Sequence, residues 1–93
     1  MKRGDDSLKH QLFVYLREQP GTWVNGGEFE RMALDAGFKA SNADRRLREL
    51  CEQYRDLPHG VKGEERPGRF ASSMWYCYVP SVYERHHARM QAA

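Results

Sequence analysis

The sequence predicts a small α+β domain. Apolar residues recur at helical spacing in three successive N-terminal segments, the period then changes to strand-like alternation beyond residue 57, and a helix-start signature follows the last strand-like run. The chain has 93 residues, enough for one compact core and not for two. A single domain over residues 1–93 is therefore expected, with its core at about 7–80 and a terminal helix at about 82–91.

The elements follow in order. Over residues 7–19, Leu8, Leu12, Tyr15, Leu16 and Gln19 share one stripe, Asp5, Asp6 or Ser7 caps the start, and Pro20-Gly21 ends the helix. Thr22-Trp23-Val24 is a short extended segment. Asn25 is then a good N-cap, and Glu28, three residues on, completes a capping box. This second helix runs to about Ala36 with Phe29, Met32, Ala33 and Ala36 inward, and Gly37 suits a left-handed cap. After a four-residue joint, Ser41 and Asp44 make the next capping box. In the third helix, about 41–54, Ala43, Leu47, Leu50, Cys51 and Tyr54 form the buried stripe. The opposite face holds Asn42, Arg45, Glu49 and Glu52, flanked by Arg46 and Arg48.

Residues 61–66 read as extended, Pro67-Gly68 as a turn, and Met74–Val79 as a strand. Trp75, Cys77 and Val79 fall on one face of it, expected to pack in the core, and Tyr76 and Tyr78 on the other. The result is a hairpin with a long tip, Gly63–Ser73, for which the short segment near Val24 supplies a third strand. Ser81 and Glu84 open a last helix, which either packs back on the first helix as cover or pairs with its copy in a homodimer.

Composition excludes several classes. Hydrophobic residues make up 40% and aromatic residues 12%, too many for a disordered tail. The longest apolar-rich run, Met74–Val79, is far short of a membrane span. No signal peptide is visible at the N-terminus, so a cytoplasmic location is expected. Two cysteines, Cys51 and Cys77, build no disulfide framework and read as reduced core thiols. Charge is uneven: residues 1–36 carry five Lys/Arg against six Asp/Glu, and residues 37–93 carry ten against seven. The basic excess in the second part points weakly toward nucleic acid.

Two helices joined by a turn of about four residues containing Gly are the pattern of a helix-turn-helix, whose second helix exposes its N-terminal half. Here that half carries Asn42, Arg45 and Arg46, with Arg48 on the flank. Arg matches the guanine edge and Asn the adenine edge in a major groove, and the Ser41 hydroxyl suits a phosphate.

The run Trp23-Val24-Asn25-Gly26-Gly27-Glu28-Phe29, then Gly37-Phe38, Ser41, Ala43 and Arg45-Arg46-Leu47-Arg48-Glu49-Leu50, resembles the winged helix-turn-helix family. It is similar to small bacterial and phage regulators and to the N-terminal domain of biotin-operon-type repressors. The resemblance covers about residues 8–79. It implies a three-helix core, a short strand plus a two-stranded wing hairpin, and an added C-terminal helix. It further implies sequence-specific binding of double-stranded DNA by a transcriptional regulator, with the third helix in the major groove and the wing (about 61–79) on the backbone or minor groove. By position it singles out Lys39, Ser41, Asn42, Arg45, Arg46 and Arg48 around the helix, and Lys62, Arg66 and Arg69 on the wing. Asn25 stands where the family usually has Ser, the wing is long, and it carries Glu64 and Glu65.

Other readings are weighed against this one. The arginines of the third helix also fit a solvated face with Arg45–Glu49 and Arg48–Glu52 pairs. Trp23, Trp75 and the tyrosines fit core packing better than a stacking platform for single strands. His59, His86 and His87 match no metal spacing, and the His86-His87 pair is expected to face solvent. No phosphate loop, nucleophile elbow or carboxylate cluster suggests catalysis, so an enzyme, a metal and a cofactor are not expected. The acidic wing and the mixed charge of the third helix motivate the alternative function, a winged-helix protein-interaction module that binds no DNA.

Overall fold

The computed structural model describes residues 5–92. They form a small α+β domain of four helices and a three-stranded antiparallel sheet. The order is α1 (Asp5–Arg17), β1 (Val24–Asn25), α2 (Gly26–Asp35), α3 (Ala40–Gln53), β2 (Gly60–Glu65), β3 (Met74–Val79) and α4 (Val82–Ala92). None of these helices is long and apolar enough to cross a membrane.

The first three helices bury the stripes that their periodicity predicts. Leu8, Leu12 and Leu16 of α1, Phe29 and Ala33 of α2, and Ala43, Leu47 and Leu50 of α3 meet Val24, Val61, Tyr76 and Tyr78 of the sheet. Burying a Leu or Phe contributes roughly 1.5–3 kcal/mol each, so this cluster is the main source of stability. Tyr15, Met32, Cys51 and Tyr54 sit partly buried at its margin. Ala36, expected inward, is exposed. It is the C-cap of α2, where its N–H closes the last turn, and the helix ends before that face returns to the core.

Several expected boundaries and caps are revised. The first helix begins by Asp5, so Ser7 lies inside it rather than at its cap. The capping expected of Asp5 or Asp6 falls on side chains outside those described. Asn25 caps α2 as expected, accepting from the Gly27 N–H at 2.9 Å, but Glu28 accepts from the Tyr15 hydroxyl of α1. α3 starts one residue earlier than expected, with Lys39 as N-cap and no side-chain cap bond. Ser41 therefore stands in the first turn. The Ser81–Glu84 capping box is reciprocal, at 2.9 and 3.0 Å.

β3 is the central strand, in the order β1-β3-β2. β1 is two residues, pairing Val24 with Tyr76 and Asn25 with Trp75. The β2–β3 ladder runs from Gly60↔Val79 to Glu65↔Met74, and the Arg66 N–H extends it to the Ser73 carbonyl at 2.8 Å. The expected tip over Gly63–Ser73 thus shortens to residues 67–72. The expected core face of β3 is also revised. Tyr76 and Tyr78 are the ones that meet the helices: Tyr76 lies edge-on to Phe29 at 6.0 Å and Tyr78 edge-on to Phe13 at 5.7 Å. Cys77 is buried on the opposite face, and Trp75 there is half-buried. Both faces of the strand are apolar, so alternation alone leaves open which of them the helices cover.

Candidate nucleic-acid interface

The joint between α2 and α3 is tight. Gly37 adopts φ +89°, which Gly accepts without steric cost. The Phe38 N–H returns to the Ala33 carbonyl at 2.8 Å, and the Phe38 ring packs against the core. With Ala43, Leu47 and Leu50 buried, the outer face of α3 turns to solvent.

On that face the predicted residues divide. Lys39, Ser41, Arg45 and Arg48 are exposed, and Asn42 is half-buried. The expected Arg45–Glu49 and Arg48–Glu52 pairs do not form. Glu49 instead lies 3.3 Å from Arg46 and 3.5 Å from Lys9 of α1, and Glu52 lies 2.7 Å from Arg55. Among the described residues, no carboxylate is within ion-pair distance of Arg45 or Arg48. The side chain of Arg46 is only 12% exposed and belongs to the α1–α3 seam rather than to the outer face.

The hairpin residues divide the same way. The Lys62 ammonium donates to the Tyr54 carbonyl at 2.7 Å and to the Leu57 carbonyl, so it closes the C-terminal end of α3. Arg66 lies 5.1 Å from the ring centres of both Trp23 and Trp75, and its Nε–H donates to Glu64 at 2.6 Å. Arg69, at the tip, is exposed with no carboxylate in ion-pair range among the described residues. Lys62 and Arg66 are thus engaged within the chain.

Three contacts escaped the sequence reading. The Asn25 side chain holds the tip as well as capping α2: its Nδ2 donates to the Ser72 carbonyl at 2.7 Å and its Oδ1 accepts from the Ser72 N–H at 3.2 Å. The tip is thereby drawn onto the start of α2. Gly27 is needed there, because a Cβ would stand 2.5 Å from the Ala71 Cβ. The second contact joins Glu30 of α2 to Asp44 of α3. Burial, then the neighbouring Asp44 charge, pushes the Glu30 carboxyl above its usual range. The third is Tyr76, raised to about 12 chiefly by burial. It lines a cleft of about 410 Å³ between α3 and the hairpin with Asp44, Arg48 and Cys51. The paired glycines after Asn25 were the one available signal for the first contact. The other two join residues far apart in sequence and left no local signature.

Among the described residues no group of three or more His, Cys, Asp or Glu is placed to hold a metal. His86 and His87 are exposed on α4. Cys51 and Cys77 are free thiols, both pushed up by burial. Comparison with family models, curated proteins and solved structures finds no match to this chain.

Proposed function

We propose that this protein binds double-stranded DNA sequence-specifically and acts, without catalysis, as a cytoplasmic transcriptional regulator of bacterial or phage type. In this reading the fold is a winged helix-turn-helix: α2 and α3 form the two-helix unit, α3 enters the major groove, and the β2–β3 hairpin is the wing. The observation that carries it is the charge distribution on α3. Its carboxylates Glu49 and Glu52 are matched by Arg46, Lys9 and Arg55, and its third, Asp44, faces Glu30 of α2 and lines a cleft with Arg48. Among the described residues Arg45 and Arg48, both exposed, have no carboxylate within ion-pair distance. Two such guanidiniums beside Ser41 and Asn42 suit guanine edges and phosphates. Arg69 at the tip suits the backbone or minor groove. Arg46, Lys62 and Arg66 act as supports that fix the helix and the wing.

Selection of bound duplexes from a random pool tests the reading. A defined sequence is expected, and Arg45→Ala or Arg48→Ala should each weaken it by roughly 1–3 kcal/mol and relax the base preference. Arg69→Ala should weaken all sequences alike and lower the salt slope by about 0.9. No duplex binding near ~50 mM salt, where phosphate contacts are strongest, sinks the proposal. That result favours the protein-interaction module, a reading supported by Val82, Tyr83 and Met90, all at least 65% exposed on α4. The same surface suits a homodimer.

A further inference from the structure

The C-terminal end of α1, the end of β3 and α4 enclose a cleft of about 370 Å³, within the size range of small-molecule sites. Its apolar lining comes from Pro20, Pro80, Ala88 and the Tyr78 ring. Arg17 of α1 and Arg85 and Arg89 of α4 also line it. The last two are one helical turn apart and so share a face.

The charge in this cleft is unbalanced. Its one carboxylate, Glu84, is already committed: it accepts from the Ser81 N–H at 2.9 Å and from the Tyr78 hydroxyl at 2.8 and 2.9 Å. Those bonds, led by the Ser81 N–H, and the charge of Arg17 hold its carboxyl below the usual range, so Glu84 offsets one of the three positive charges of the cleft and two remain. Arg17 rests over the Phe13 ring at 6.0 Å. Among the described residues no carboxylate comes within ion-pair distance of any of the three guanidiniums. A cation or a neutral apolar molecule leaves that excess uncorrected, whereas a planar anion matches the fork geometry of Arg. The apolar lining in turn favours an anion with an apolar body over a bare inorganic one.

We propose that this cleft binds a small organic anion of the aryl carboxylate type, and that the bound anion fastens α4 to the core. It bridges α1 and α4, which is otherwise tied to the sheet through the Tyr78–Glu84 bonds. The proposal stands apart from the DNA reading, and its test contains no nucleic acid.

Benzoate is titrated into the full chain at pH 7 and constant ionic strength, with benzyl alcohol and inorganic phosphate in parallel. The Ala88 methyl and Tyr78 ring signals are followed by NMR. Saturable shifts at both groups are expected with benzoate, with a Kd at least about tenfold below that of either control. Arg85→Ala/Arg89→Ala, two exposed positions, should weaken benzoate by about tenfold or more without changing the far-UV spectrum. Ala88→Glu, which supplies an internal carboxylate, should abolish the benzoate shifts at the Tyr78 ring, the reporter that this variant keeps. Absence of saturation, equal response to all three probes, shifts that map elsewhere, or binding unaltered in either variant overturns the proposal.

Discussion

Lys62 is the residue whose assignment changed most. From sequence it is a basic side chain on a hairpin, and basic hairpins meet phosphates. In the folded chain its ammonium serves the carbonyls of Tyr54 and Leu57. Tyr54 is the C-cap of α3 and Leu57 lies beyond it, so the cation ties the end of the helix to the loop that leads into β2 through charge-assisted bonds to both carbonyls. Lys62→Met removes both bonds and keeps the apolar stem. We expect a loss of roughly 1–2 kcal/mol, lowering the midpoint by about 4–8 °C per kcal/mol in a domain of this size. Thermal unfolding followed by circular dichroism checks it, and an unchanged midpoint means that the bonds contribute nothing. Arg66 carries the same lesson. Basic character was legible in the sequence, but its use as a spacer between Trp23 and Trp75 depends on indoles brought together by strand pairing.

At the scale of elements, helix caps were legible where signal and partner are adjacent in sequence. Ser81 and Glu84 are three residues apart and pair as expected. Glu28 and Ser41 carry equally good cap chemistry, yet Tyr15 from α1 reaches Glu28, and α3 extends one residue past Ser41. The α4 cap also has a pH dependence. The Glu84 carboxyl is lower in the folded chain than its ordinary value of 4.5, mainly through the Ser81 N–H and also the Tyr78 hydroxyl. It therefore contributes stability that is fully present above the ordinary value and is lost as pH falls through the folded one. The start of α4 should fray on acidification below about pH 4.5 while the core helices persist. Amide exchange at Glu84 and Arg85 against Leu47 measures this. Glu84→Gln should remove the pH dependence. Uniform exchange at all three amides at every pH contradicts it.

For the whole molecule, the hairpin tip and the start of α2 are one unit. Asn25 bonds both Gly27 and Ser72, and Gly27 leaves room for Ala71. Gly27→Ala sets two effects against each other. Alanine gains about 1 kcal/mol of helix propensity, while its Cβ, 2.5 Å from the Ala71 Cβ, forces the tip away at a cost of roughly 1–3 kcal/mol. We expect net destabilisation, with chemical-shift changes concentrated at residues 69–73. A stabilised variant with an undisturbed tip shows that the contact is loose. The sequence marks Asn25-Gly26-Gly27 as a helix start, and the paired glycines are its one local signal that a loop more than forty positions later rests on it.

The sequence by itself determined the order of elements, the buried stripes of α1, α2 and α3, the left-handed joint at Gly37 and the cap of α4. These rest on interactions between residues at most four apart, or on a period that repeats within one element, and each is written in the local order of side chains. The tertiary structure alone decided which face of β3 the helices cover, since both are apolar. It also decided which cations form ion pairs. Arg45 and Arg48 form no ion pair among the described residues because Lys9, Arg46 and Arg55 take Glu49 and Glu52 while Asp44 faces Glu30 of α2, whereas Lys62 and Arg66 are withdrawn by carbonyls and indoles. Ion pairs and close contacts between elements depend on which segments meet in space, and the packing of α1, α2, α3 and the sheet around one core sets that.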